Sequence, residues 1–325
     1  MAQYTGIQGQ NILIVSSDPA NPVEGQIWYN TTSNLLKGYT YGVASWASGG
    51  NLNTARSQIS ALGADATNVL NVGGYAYGPN AYQSAVEQYN GTSWTTKTGT
   101  PTSLGFRTSG GTVTAGIVMG GHDNSSPAQC ITWNGTSWTV VNSINSGAYG
   151  IFGNGSQTAA FIVGSSEPVL RPNTQTETWN GTSWTVSPAS LNTGRGLGTG
   201  TGPSSDGLAI GGGGTQTEKW SGSTWTTTGA LTESKTRAGG SGGSAPSNSV
   251  LVASNSNPTP NTNAQTFNGS TWTNTVSLST GRNSGPGGGG SSSNNGLISG
   301  GNSPSIATTE SYTGPVLTTK TLTTS

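Results

Sequence analysis

The chain has 325 residues, of which 53 are glycine and 15 proline, and only 30% are hydrophobic. Eleven basic residues balance eleven acidic ones, and charged residues make up 7% against roughly 25% in ordinary domains, so neither nucleic acid nor anionic lipid finds an electrostatic footprint. Cys130 and His122 are each the only one of their kind, which excludes an intrachain disulfide and any metal site built on several thiolates or imidazoles.

From Met1 to Gln10 there is neither a basic start nor a long apolar run, and Ile12-Leu13-Ile14-Val15 is too short for a signal-peptide core or a membrane span. Export by an ordinary signal peptide and membrane insertion are therefore not expected. Residues 1–19 read as an N-terminal arm with an anchoring role, ahead of a β-domain over 20–325. Gln26-Ile-Trp-Tyr-Asn30, Leu35-Leu-Lys-Gly-Tyr39 and Ala44-Ser-Trp46 read as three successive strands, with a turn at Thr31-Thr-Ser-Asn34. Ile12–Val15 is the candidate for a fourth.

Beyond Trp46 a phrase recurs: Tyr89-Asn-Gly-Thr-Ser-Trp94, Trp133-Asn-Gly-Thr-Ser-Trp138, Trp179-Asn-Gly-Thr-Ser-Trp184, Trp220-Ser-Gly-Ser-Thr-Trp225 and Phe267-Asn-Gly-Ser-Thr-Trp272. Trp46 lies 48 residues before Trp94, and the later steps are 44, 46, 41 and 47. Such a period marks units that bury their apolar faces by stacking on one another. Periodic glycines and ten tryptophans argue for a folded, strand-rich protein rather than a low-complexity tail. In the unit Arg56 to Trp94, apolar Asn68-Val-Leu-Asn-Val72 ends in Gly73-Gly74, a loop from Tyr75 to Tyr82 follows, and Ser84–Tyr89 turns through Asn90-Gly91 into Trp94–Thr98. These runs predict antiparallel strands a to d, with Asn-Gly as the hairpin signal because both residues tolerate positive φ. Arg107, Arg195, Arg237 and Arg282 open other units, and Gly147-Ala-Tyr149 stands there in one. Double glycines recur at Gly120-Gly121, Gly211-Gly212 and Gly300-Gly301. Glu87, Glu177, Glu218 and Glu310 stand two residues before the third-strand aromatic, with Gln265 there once.

Arg, then an apolar run ending in Gly-Gly, then Glu-x-Tyr/Trp, then Trp five residues on: over residues 40–317 this resembles the kelch repeat. The resemblance implies a kelch-like β-propeller of four-stranded blades in which each last-strand Trp (Trp46, Trp94, Trp138, Trp184, Trp225, Trp272) packs against the next blade. The recurring Arg and Glu residues are expected to serve structure, as ion pairs or backbone-bonded charges, with ligand binding as the alternative. Seven aromatic pairs, from Tyr41/Trp46 to Tyr312/Leu317, favour seven blades of four antiparallel strands over six plus an N-terminal extension. The tail Thr318–Ser325 is expected to end the last fourth strand.

The stretch from Ser17 through Gly25-Gln-Ile-Trp-Tyr-Asn30 to Tyr39 is similar to segments of bacteriophage, particularly marine phage, tail-fibre and other virion structural proteins. With the uncharged polar composition, that similarity implies a non-enzymatic virion surface protein, a capsid decoration or tail-fibre component whose partners are other virion proteins and a host surface glycan. Loops between strands b and c vary most (Tyr75–Tyr82, His122–Ala128, Ser166–Thr174, Asn255–Asn263), and varied loops on a rigid scaffold are where recognition concentrates. Tyr75, Tyr77 and Tyr82 are the candidate ligand-binding residues, since aromatics stack on sugar faces; packing over blade ends is the competing reading. A secreted or cell-surface adhesin is the alternative function. A carboxylate-dependent glycan-degrading enzyme needs two acids flanking one bond, and nothing pairs Asp18, Glu24, Asp65, Asp123, Glu167, Asp206 or Glu233. One histidine is too few for a copper radical oxidase. The Asn-x-Ser/Thr sequences read as turn chemistry, and no catalytic residue, cofactor or metal is expected.

Overall fold

The structure, a computed structural model, describes residues 12–123, 128–240, 247–254, 260–285, 287–301 and 304–322. Its architecture is all-β and propeller-like: among the described residues there is no helix, and the strands form four-stranded sheets plus one small hairpin, Tyr75–Ala76 with Ala81–Tyr82. Two compact units are present, Met1–Ala44 with Gly314–Ser325, and Ser45–Thr313; the sequence reading drew its boundary after residue 19, and residues 1–11 of that expected arm lie outside the described residues.

The smaller unit is one sheet in the order Leu13–Val15, Ile27–Asn30, Leu35–Tyr41, Leu317–Thr321, with the first pair parallel. Asp18 ties it together. Its Oδ1 accepts the indole N–H of Trp28 at 2.9 Å and the amide of Asn30 at 2.8 Å, and its Oδ2 meets the Lys37 ammonium at 2.7 Å. Strand alternation puts Trp28 and Asn30 on one face, which explains the Ile-Trp-Tyr-Asn spacing. Asn30 Oδ1 then accepts the N–H groups of Thr32 and Ser33 and sets the turn. These donors hold the Asp18 carboxyl down to about 2, the Lys37 ammonium most strongly, then Trp28 and Asn30.

Among the described residues the larger unit holds six four-stranded sheets. Five are consecutive in sequence: Ser60–Asp65, Asn68–Val72, Val86–Tyr89 and Trp94–Lys97; Thr108–Thr112, Ala115–Met119, Cys130–Trp133 and Trp138–Val141; Phe152–Gly155, Ala160–Val163, Thr176–Trp179 and Trp184–Val186; Thr199–Thr201, Gly207–Ile210, Thr217–Trp220 and Trp225–Thr227; Gly239–Gly240, Val250–Ala253, Ala264–Phe267 and Trp272–Thr275. The sixth joins Gly287–Ser292, Asn295–Ser299 and Thr309–Thr313 to Ser45–Gly49 from the start of the unit. Two expectations are corrected here. Trp46 lies opposite Tyr312, with ring centroids 5.1 Å apart, and Leu317 lies opposite Tyr41. The pairs read as Tyr41/Trp46 and Tyr312/Leu317 have exchanged partners, and the tail Leu317–Thr321 belongs to the smaller unit instead of completing the last repeat. The N-terminal strands therefore do not form one sheet with Trp46, as the seven-blade reading required.

The five-residue aromatic spacing has a direct cause. Each pair spans a hairpin and ends up directly opposite in register, as Tyr89 with Trp94 and Trp133 with Trp138, with rings 5.1 and 4.8 Å apart. Within the turn only glycine takes positive φ, for example Gly91 at 94°. The asparagine contributes its side chain: Asn90 Oδ1 accepts the N–H groups of Thr92 and Ser93 at 3.0 and 2.9 Å, an Asx turn.

Apolar cores lie between consecutive sheets, as where Leu62, Leu70 and Val72 meet Val118, Ile131 and Trp133. The last-strand tryptophans reach back to the preceding sheet, not forward. Trp94, Trp225 and Trp272 donate their indole N–H to the hydroxyls of Thr309, Thr176 and Thr217 at 2.8–3.0 Å. Val86 and Ala264 hold the equivalent place for two of the remaining three, and there Trp138 and Trp46 are only half-buried and donate to the carbonyls of Thr98 and Val276. Cys130 holds it for Trp184, whose buried indole N–H lacks a sound hydrogen bond. Burial pushes the Cys130 thiol up to about 11, against the opposing approach of backbone N–H groups and the Trp184 indole.

Glycine lines the first strands for a packing reason. A Cβ on Gly200 would lie 2.4 Å from the Gly153 Cα, and one on Gly110 2.5 Å from the Gly155 carbonyl oxygen, so neighbouring first strands approach backbone to backbone.

Candidate functional site

The repeated charges come first, because their geometry decides what remains free. Glu87, Glu177, Glu218 and Glu310 are buried on third strands, and each is tied to the segment entering its own sheet. Glu218 accepts the N–H of Asn192 at 2.7 Å and pairs with Arg195; Glu310 accepts the N–H of Ser279 at 2.7 Å and meets Arg282 at 3.0 Å; Glu87 pairs with Arg56. In the third sheet, where the opening arginine is missing, Arg171 from the loop before Thr176–Trp179 pairs with Glu177. In the fifth, Gln265 replaces the glutamate and accepts the N–H of Thr232 at 2.9 Å, while buried Lys235 takes the arginine's place and meets Glu233 at 2.6 Å. Arg171 and Lys235 are thus structural cations outside the recurring Arg positions of the sequence, and Arg237 is not in the buried position its repeat assigned to it. Arg107 is buried and donates to Thr102 Oγ1 at 2.9 Å and Gln129 Oε1 at 3.4 Å. Burial draws its guanidinium down to about 10, opposed by Cys130 and Asp123. For Glu310, burial acts upward but is outweighed by the Ser279 donors and Arg282, so the carboxyl lies below its ordinary value.

Two residues beyond Arg56, Arg195, Lys235 and Arg282 the backbone turns left-handed, at Gln58 (φ 56°), Leu197 (60°), Arg237 (55°) and Ser284 (55°), and it does so too at Phe106 (49°) and Gly150 (77°). These residues hydrogen-bond in sequence from sheet to sheet. Gln58 N–H donates to Ser284 O at 2.7 Å, Phe106 to Gln58 at 3.0 Å, Leu197 to Gly150 at 2.7 Å and Arg237 to Leu197 at 2.9 Å. Beneath them the first strands of all six sheets line a polar cavity of about 110 Å³, with Ser60, Ser109, Asn154 and Thr199 in its wall.

Around this rim the structure gathers an aromatic row. Tyr75 contacts Tyr77 and Tyr82 edge-on at 4.9 and 5.1 Å between centroids, and Tyr82 faces His122 at 5.8 Å. His122 packs on Tyr149 at 4.9 Å, and Tyr149 on Phe106 at 5.1 Å. The Arg237 guanidinium closes the row, 4.7 Å over Phe106 and 5.7 Å from the Tyr149 centroid. The Tyr82 hydroxyl is 2.6 Å from His122 Nδ1, Tyr75 bonds Asn80, and Arg237 Nη2 donates to the Tyr149 hydroxyl. All seven side chains are half-buried. Burial raises the phenols of Tyr82 and Tyr149, in Tyr149 against the pull of Arg237, so both remain protonated donors at neutral pH. Gln58, Tyr75, Tyr77, Asn80, Ala81 and Tyr82 line an open recess of about 510 Å³, within the size range of small-molecule sites.

The three tyrosines singled out by sequence are therefore together, and they are joined by His122, Phe106, Tyr149 and Arg237, which were not chosen. The overlooked signal is variability at the left-handed position: in an otherwise regular repeat it carries Gln, Phe, Gly, Leu, Arg and Ser. The expected loops 122–128 and 255–263 are described only outside 124–127 and 255–259.

No protein-family model matches the sequence, and no curated protein matches it. A reading of function accordingly rests on the geometry of this rim.

Proposed function

We propose that the larger unit is a six-bladed, kelch-like propeller whose last blade is closed by Ser45–Gly49, and that it binds carbohydrate without chemical turnover through its aromatic rim. In favour of a closed ring are the bonds of Gln58 and Ile59 N–H to Ser284 and Gly285, which join the first sheet to the sixth. Closure also removes sheet edges that otherwise pair with other chains. The observation that carries the binding reading is the half-buried row Tyr77–Tyr75–Tyr82–His122–Tyr149–Phe106. Aromatics that merely filled a core would be fully buried, whereas these keep part of their surface accessible. The four recurrent glutamates are engaged in structural pairs, so a hydrolytic pair would have to be assembled from other acids.

The chain is further proposed to sit on a virion surface, as a capsid decoration or tail-fibre component, with other virion proteins and a host surface glycan as partners. The 17–39 segment supports this reading through its similarity to phage structural proteins. Mass spectrometry of purified particles should find the polypeptide, and its absence would remove the virion assignment. Glycan-array binding should be lost in Tyr77→Ala with unchanged melting; equal binding by both proteins would refute the rim as the site.

A further inference from the structure

Arg237 stands apart from the other five arginines. Arg56, Arg171, Arg195 and Arg282 are paired with glutamates, and Arg107 is buried against Thr102 and Gln129. Arg237 is half-exposed, and among the described residues no carboxylate forms an ion pair with it. Its place is fixed all the same: the left-handed backbone aims it at the rim, its N–H is bonded to Leu197, and its guanidinium lies on Phe106 with Nη2 on the Tyr149 hydroxyl. A cation held over aromatic faces is pre-organised, and a guanidinium fork matches a carboxylate in two parallel hydrogen bonds. Beside it lies a cavity of about 100 Å³ bounded by Gln58, Phe106, Leu197 and Arg237. On adjoining loops Glu167 Oε2 is occupied by the Tyr149 N–H at 2.5 Å, and Asp123 is exposed next to His122.

We infer that the rim selects acidic saccharides: Arg237 pairs with the carboxylate of a uronate or sialic-acid residue while the neighbouring rings pack on the sugar faces. This rests on the aromatic rim being a carbohydrate platform and adds the class of sugar it accepts. The test is titration calorimetry of the full chain against uronate- and sialic-acid-bearing oligosaccharides and their methyl esters, which keep the ring and lose the charge. The acids should bind at least about 10-fold more tightly than the esters, with salt weakening only the acids. Arg237→Gln should cost roughly 10- to 100-fold for the acids, the range of a charged hydrogen-bonded pair, and should remove the preference for acid over ester. If Arg237→Gln does not fold, the comparison of acid with ester on the unaltered protein decides alone. Equal binding of acid and ester, or binding of neutral glycans only, overturns acidic selection and leaves the platform standing. Binding of no glycan of either kind overturns both.

Discussion

Replacing Glu218 by Gln is the sharpest test of how the sheets are held. Both side chains of the Glu218–Arg195 pair are buried, at 2% and 4% exposure, so solvent screens little of the interaction. Glu218 Oε2 accepts the backbone and side-chain N–H groups of Asn192 at 2.7 and 2.8 Å, while Oε1 faces Arg195. Glutamine keeps the volume but must turn its NH2 toward either Asn192 or Arg195, setting donor against donor and leaving a guanidinium uncompensated. Breaking a buried pair from one side costs about 3–5 kcal/mol. For a unit of this size that is a fall of roughly 6–20 °C in melting temperature. The double variant Glu218→Gln/Arg195→Met removes the stranded charge and should melt higher than Glu218→Gln alone. Nature supplies the control in the fifth sheet, where Gln265 is tolerated because the cation is Lys235 and finds Glu233. Thermal melts of the four proteins of this cycle check the argument. A shift below about 2 °C for Glu218→Gln, or strict additivity in the double variant, would refute it.

Further outcomes follow from single contacts. Cys130→Thr gives the Trp184 indole the hydroxyl that its counterparts find in Thr176, Thr217 and Thr309, and a gain of about 1 kcal/mol should appear as a higher melting temperature. Gly200→Ala drives a methyl into the Gly153 backbone, and overpacking of about 1–3 kcal/mol or more should lower it. Asp18, held down to about 2 in the fold, contributes fully above the unfolded carboxyl value of about 3.9. That contribution is lost as pH falls through about 2. Protection of the Ile27–Asn30 amides, taken relative to their intrinsic exchange at each pH, should therefore fall between about pH 4 and 2, and Asp18→Asn should abolish that dependence.

How much was legible in the sequence differs between elements. Strands Asn68–Val72 and Trp94–Lys97, and their equivalents, were readable because hairpin pairing fixes a five-residue aromatic spacing locally. The partner of Trp46 was not, because Tyr41 lies five residues away and offers the same local pattern; only the register with Tyr312 decides. The cations were half legible. Arg56, Arg195 and Arg282 recur in place, but a buried carboxylate accepts a cation from any segment within reach, so Arg171 and Lys235 fill the role without obeying the repeat. At the rim, Tyr75, Tyr77 and Tyr82 stood out as a local cluster. Phe106, Tyr149 and Arg237 come from three other repeats, and only the sheet-to-sheet bonds of the left-handed residues bring them alongside.

The strand Ser45–Gly49 has a consequence for synthesis. Its partner in the sixth sheet, Thr309–Thr313, lies some 264 residues further along the chain, so it emerges from the ribosome long before anything exists for it to bind. Five sheets can grow one upon another as they are translated, but the join must wait for nearly the last repeat. During that interval the nascent chain carries an unmatched edge at each end of the stack, and a neighbouring copy on the same message is a competitor for both.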